Sequence, residues 1–497
     1  MTENKDEQED KKSETDSASN ENQDDIRRAE SVTLEEFGKQ LKSEIIDELK
    51  KAPFTIGNLF TGETHIHRDV IGRDKVERAS KRLKEVHPKK TANKLTKWLD
   101  ENQSIEDRIL LLSVAVFNGA SVQIITEAQK MLQRLVSEHD SEKKPRGTLF
   151  ESSMHKQLKG IGASIKDGEE DTQYGRFRTK IVELNDPALS PIIIKYYWDE
   201  FKFGNFHETL VRWFGDAVEN TPYQMRKRVA FAVGILAKED LRSIELDILS
   251  KWATSSNPTK RIATAYALGI PALEDELSPQ VLKLLHYWST VNNWRLGWTA
   301  AATYGGEVGL KFPAEALKDL KNIAKTGDLR LMGVLTQSIS NLFDEGEANK
   351  DFHEKVLDSL IDWTENSKEI QGTIGLFVFL NLARTARMKA DPVGDDWYTL
   401  LWLLHKRKKN PSAQILSLWR RALNLKQSRA EALRILNEWV KAVDKDSPRL
   451  YEPLEWLIGE IISRGDSREG DRIRHFIRRM EEQPETSLTA EKLLRTI

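Results

Sequence analysis

Residues 252–269 read WATSSNPTKRIATAYALG, and residues 288–305 read WSTVNNWRLGWTAAATYG. Trp252, Asn257 and Gly269 recur as Trp288, Asn293 and Gly305, each 36 residues further on. A fixed period of this length marks a repeat architecture, in which one supersecondary unit stacks on the next. Asn257-Pro258 reads as a helix N-cap with proline in the first helical position, where its missing N–H costs nothing. Gly269 is expected to end that helix in a left-handed conformation, with Pro271 preventing continuation. Ala263, Ala265 and Ala267, like Ala300, Ala301 and Ala302, are small enough for close helix approach. Each unit is thus predicted as a helix ending near a tryptophan, a tight turn, and a second, small-residue helix. One such pair cannot cover its own apolar face, but stacked pairs bury a continuous core.

The pattern extends in both directions. A weaker copy runs from Trp213 to Gly234, and Asn410-Pro411 and Ser447-Pro448 repeat the cap. Only helix-length segments are read from about residue 190 onward, so residues 190–485 are assigned to a HEAT-like α-solenoid of about six or seven pairs. Residues 91–185 show another order. A helix is expected over Thr91–Asp100. Ser104-x-x-Asp107 caps the next, with ILLLSVAVF buried and Gly119 as its stop. Ser121 is expected to cap a third helix through Leu135, and a shorter one lies near Leu149–Leu158. ASIKDGEEDTQYGRFRTKIVEL then offers two strands around a Gly/Asp/Glu turn. Helices followed by a two-stranded ribbon give a winged-helix-like domain.

Residues 33–76 form a helix and β-ribbon segment. Thr33-Leu34-Glu35-Glu36 is a capping box, and Leu34, Phe37, Leu41, Ile45 and Leu49 make one apolar stripe. Ile66, Arg68 and Val70 then alternate with His65, His67 and Asp69, as in a short strand. Residues 1–32 are a disordered acidic tail. Its first 25 residues carry ten acidic and three basic side chains, a balance of −7. The remaining residues carry +5, the difference between the chain's −2 and that −7. Such a tail buries too little to offset its ordering entropy. The fold class is therefore mostly α, in four parts.

Composition narrows the chemistry. The chain of 497 residues has no cysteine, which excludes disulfides, thiolate zinc sites and thiol nucleophiles. MTENKDEQEDKK lacks the apolar core of a secretory signal. No run reaches the ~18 apolar residues of a membrane-spanning helix. A cytoplasmic location without membrane contact is expected. GNLFTGET (57–64) has phosphate-loop spacing, but Glu63 stands where lysine must neutralise phosphate. His65-x-His67-x-Asp69 lacks the further ligands a metal site needs. No cofactor or metal is expected.

RILLLSVAVFNGASVQIITEAQKML (108–132), KYYWDEF (195–201), KRVAFAVGILA (227–237) and NPTKRIATAYALG (257–269) together resemble the back half of bacterial STAND-type signalling NTPases, a winged helix followed by superstructure-forming repeats. HIHRDVIGRDKV (65–76) is similar to the GRDK-containing ribbon of bacterial conflict proteins. The NTPase module of that family is missing. The resemblance implies a signalling or defence scaffold without its motor, and it carries over no catalytic residue.

The expected function is non-enzymatic: a scaffold or adaptor for a protein partner or effector, with self-association through residues 33–76. Phe37, Leu41, Ile45, His65, His67 and Arg73 are the partner-binding candidates. The alternative is a nucleic-acid-binding regulator. It would use Arg176, Arg178 and Lys180 of the ribbon and Lys406, Arg407, Lys408 and Lys409 of the solenoid, with further basic clusters at Arg226–Arg228, Arg420–Arg421 and Arg472–Arg479. The third reading is a HEAT-like DNA glycosylase using Trp288, Trp294 and Trp298 with Asp319 or Glu307.

Overall fold

The computed structural model describes Trp98 and residues 104–139, 154–172, 175–202, 204–219, 223–345, 352–365, 370–389, 396–406, 409–446, 450–483 and 486–496. All belong to the second of two units, Ile66–Ile497. The tail, the 33–76 segment and all but Trp98 of the expected helix at 91–100 lie outside the described residues.

Helix α1 (Ile105–Val116) starts where its cap requires: the Ser104 hydroxyl accepts from the Asp107 N–H at 3.3 Å. Every residue from Ile109 to Phe117 is buried. Gly119, at φ 77°, turns the chain into a strand that the sequence had not signalled, β1 (Ala120–Ser121). Then follow α2 (Val122–His139), α3 (Met154–Gly160), β2 (Ala163–Thr172) and β3 (Gly175–Leu184). The strands make one antiparallel sheet in the order β1-β3-β2. Ser121 stands directly before α2 and pairs with Ile181.

The ribbon turn is not at the Gly/Asp/Glu cluster. β2 runs straight through it to Thr172, and the reversal falls before Gly175 at φ 114°. Gly168 serves packing instead: a Cβ there would lie 2.6 Å from the Ile181 side chain. The acidic stretch of β2 faces the basic stretch of β3, with Asp167 opposite Lys180 and Glu169 opposite Arg178. Opposite charges in register favour this pairing over an early turn.

Helix α4 (Leu189–Glu200) packs on α1 and leads into the helix pairs. These are α5 (Asn205–Glu219) with α6 (Tyr223–Glu239), and α7 with α8 (Pro258–Leu273). α7 consists of Leu241–Ile244 and Ser250–Ala253, joined by a π-helical turn, Glu245–Leu249. α9 (Ser278–Thr290) pairs with α10 (Trp294–Tyr304), followed by the short α11 (Glu307–Lys311). α12 (Pro313–Lys325) pairs with α13 (Met332–Glu345), and α14 (Phe352–Trp363) with α15 (Ile370–Thr385). A hairpin, β4 (Arg387–Lys389) and β5 (Asp396–Tyr398), and α16 (Thr399–His405) interrupt the series. It resumes with α17 (Lys409–Asn424), α18 (Lys426–Asp446), α19 (Tyr451–Arg464), α20 (Ser467–Glu481) and α21 (Ser487–Thr496). The hairpin corrects the all-helical expectation beyond residue 190. The Arg387 guanidinium lies 3.5 Å from the Tyr398 ring centroid across it, and Trp397 is buried.

Each second helix packs on the second helix of the next pair: α6, α8, α10, α13, α15, α18 and α21 form one ladder. First helices α9, α12, α14, α17 and α19 form another. Such a two-layer stack is a HEAT-like α-solenoid. It has no break from the sheet-bearing stretch, since α5 packs on α2 and Trp213 Nε1 donates to the Ala128 carbonyl at 3.1 Å. Tyr197 likewise donates to the Arg108 carbonyl at 3.0 Å. Among the described residues, no helix is long and apolar enough to cross a membrane.

Two expectations about glycine are overturned. α8 continues through Gly269 and contains Pro271 before it ends at Leu273. Gly269 is not left-handed; the described glycines with positive φ are 119, 162, 175 and 327. The Pro271 ring removes the bond to the Ala267 carbonyl, and that carbonyl faces Gly234 of α6, whose Cβ would come within 2.7 Å of it. Gly234 likewise lies inside its helix, marking close approach and not a stop. Asn410 is not a cap, because α17 already includes Lys409. Ser447-Pro448 lies outside the described residues.

Candidate functional site

Phe37, Leu41, Ile45, His65, His67 and Arg73 lie outside the described residues, as do the 57–64 loop, Arg407 and Lys408. Lys409 opens α17, and exposed Lys406 holds its Nζ 5.3 Å from the Trp402 ring centroid. Arg176, Arg178 and Lys180 are brought together on β3, but against acids. Lys180 is 2.5 Å from Asp167 and Arg176 is 3.8 Å from Glu169. Arg228, Arg420 and Arg421 are spent inside the fold, whereas Arg478 and Arg479 of the last cluster are exposed on α20. Arg228 donates to the carbonyls of Asn118 and Gly119, and burial lowers its pKa. Arg421 donates to the Ile361 carbonyl and the Thr364 hydroxyl, while Arg420 reaches buried Glu469 at 3.4 Å.

The residues of the glycosylase reading are dispersed in function. Trp288 is buried in the core. Asp319 is buried between helices, accepting from the Tyr304 hydroxyl at 2.7 Å, with His286 Nδ1 at 2.8 Å. Burial, then the bond to Asp319, pushes the Tyr304 phenol well above its usual pKa. Asp319 thus ties α9, α10 and α12 together.

A different cluster is built by the repeat itself. The first-to-second-helix turns of three successive pairs are capped at equivalent positions. The Asn257 side chain accepts from the Thr259 N–H at 2.9 Å, and Asn293 from the Arg295 N–H at 3.0 Å. Asp328 accepts from the Arg330 N–H at 3.0 Å. Within one turn after these caps come the residues that meet. The guanidinium carbons of Arg261, Arg295 and Arg330 lie over the Trp294 ring at 5.2, 5.1 and 4.5 Å from its centroid. Arg261 also lies 4.8 Å from the Trp298 centroid. Three cations around one indole are held by cation–π attraction, against the positive ends of α8 and α10, which begin beside them and disfavour added positive charge.

The charges are unequally matched. Arg330 is clamped by Asp328 through both carboxylate oxygens, which lowers the Asp328 pKa and raises that of Arg330. Arg261 is only 5% exposed and spends Nη1 on the Ser255 and Ser256 carbonyls. Burial and then repulsion from Arg295 lower its pKa. The Nε atoms of Arg261 and Arg295 are buried without an acceptor. Among the described residues no carboxylate pairs with either. A linear scan for basic runs passes over this site, since each repeat contributes a single arginine.

No family model and no curated protein matches the chain. Among solved structures, importin beta, crystallised in an ammonium sulfate condition, is similar over 79% of this chain and 55% of that chain, at 11% identity and a TM-score of 0.25. The chain thus spans about half the length of that neighbour.

Proposed function

We propose that the chain is a non-enzymatic scaffold or adaptor that binds a protein partner, in bacterial signalling or defence of the kind its resemblance to STAND-type proteins implies. The observation that supports it most is the double ladder of helices. Each pair adds one turn and one helix face to a continuous surface, the geometry that lets solenoids hold extended partners. Residues 33–76 supply a second contact, through which the chain associates with itself or with an effector carrying a like ribbon. Replacing Phe37, Leu41 and Ile45 together with serine is expected to abolish association in sedimentation velocity while leaving helical content and melting unchanged. A triple variant that unfolds instead would make the stripe part of the core and end the recruitment reading.

The connectivity helix–strand–helix–helix–strand–strand, with sheet order β1-β3-β2, supports the winged-helix reading and hence nucleic acid as the alternative. The charge count speaks against it, because the ribbon's cations face their own carboxylates. A salt series decides. Binding to a duplex through many phosphates loses about 10³–10⁵ in affinity between 50 and 200 mM salt. No saturable duplex binding is expected at the higher salt. Tight binding with that steep slope would put the regulator reading first.

A further inference from the structure

The edge around Trp294 holds more positive charge than the fold uses. Arg330 is neutralised by Asp328, whereas Arg261 and Arg295 have no counterion among the described residues. A nine-tenths-buried guanidinium with an idle Nε is an expensive thing to keep unless something occupies it part of the time. The Trp294 indole N–H, half-buried beside them, also has no acceptor among the described residues. These groups come from two neighbouring repeats and gather around the Trp294 ring, next to the N-termini of α8 and α10, so the partner that suits them is an anion.

We infer that Arg261, Arg295 and the Trp294 indole N–H form a recognition site for a phosphoryl group carried on a peptide segment of the partner. This rests on the partner-binding reading above. A phosphorylated side chain carries about −1.5 to −2 at neutral pH, which matches two unpaired guanidiniums, whereas a carboxylate would match one. A guanidinium fork suits phosphoryl oxygens bidentately; Arg295 is the residue to offer it, since Arg261 already spends Nη1 on two carbonyls. Nucleic acid fits less well. Guanidiniums lie over the indole ring, so that face is taken from a stacking base, and one locus of two free charges is far fewer than a polyphosphate backbone engages.

The test uses the full-length chain and three fluorescent peptides with degenerate, uncharged flanks, bearing phosphoserine, serine or glutamate at the centre. Anisotropy should report saturable binding of the phosphoserine peptide, weakened about tenfold for glutamate and lost for serine. Inorganic phosphate should compete, and a 12-mer single-stranded DNA should not compete better than the peptide. Arg295→Gln should weaken the phosphopeptide about tenfold or more while its melting temperature stays equal or rises, because an unpaired charge has been removed. Equal binding of the three peptides by the unmodified chain overturns the site without reference to any variant. Unchanged phosphopeptide affinity in Arg295→Gln, or stronger competition by the DNA, also overturns it. None of these failures touches the association lost in the 33–76 triple variant, so the two readings fail separately.

Discussion

Truncating Trp252 or Trp288 to alanine is expected to cost about 3–5 kcal/mol each, the range for a buried large aromatic. Trp252 is 4% and Trp288 2% exposed. Both stand at the end of a first helix, in α7 and α9, and Trp363 occupies the same place at the end of α14. Each indole is buried where a first helix turns into its second. Because a solenoid is stabilised by nearest-neighbour contacts, the two variants should lose similar amounts. Urea unfolding checks this: both midpoints should fall together. An alanine variant that kept the wild-type midpoint would mean that its corner is not packed by the indole, and the repeat reading of that tryptophan would go with it.

Gly234→Ala and Gly269→Ala are expected to shift stability in opposite directions. Both glycines lie within helices, where alanine is favoured by about 1 kcal/mol on propensity alone. At Gly269 nothing lies within 4 Å of the added Cβ, so that gain should appear as a higher urea midpoint. At Gly234 the Cβ would meet Ile270 Cδ1 at 2.5 Å and, less forgivingly, the Ala267 carbonyl oxygen at 2.7 Å. Separating two packed backbones costs about 1–3 kcal/mol, as overpacking does, and this outweighs propensity. Gly305 sits in a similar contact, with Ser338 Cα 2.9 Å from its added Cβ. A stabilised Gly234→Ala variant would show that α6 and α8 have room to part, and the close-approach account of the ladder would be wrong.

The candidate site was much less legible than the fold. Runs such as Lys406–Lys409 and the cations of β3 draw the eye because they are contiguous in sequence, yet contiguity says nothing about neutralisation. Lys180 and Arg176 meet acids that lie 13 and 7 residues earlier in the chain but alongside them in the hairpin. Arg261, Arg295 and Arg330 are separated by 34 and 35 residues and look like isolated surface cations. With the caps Asn257, Asn293 and Asp328 aligned, Arg295 and Arg330 fall at the same place, two residues after the cap, whereas Arg261 stands four after its own. The repeat spacing places two of the three together, and the packing of one pair on the next brings Arg261 to the Trp294 ring.

What the residues alone determined was the unit and its period. Asn257-Pro258 caps a helix by local hydrogen bonding, Trp252 and Trp288 mark the end of the helix before it, and a 36-residue recurrence makes the pairs stack. Those are local or periodic properties and need no partner to be read. The direction of glycine's effect, the fate of Pro271 and the sharing of charge were decided only by tertiary structure. A glycine inside a helix and a glycine ending one have the same composition around them. The difference at Gly234 is the carbonyl of another helix pressing on it. Pro271 stays helical because the packing of α8 against α6 outweighs one missing hydrogen bond. An arginine is spent or free according to which carboxylate the fold brings beside it, and that neighbour is chosen by the stacking of repeats, not by the chain on either side.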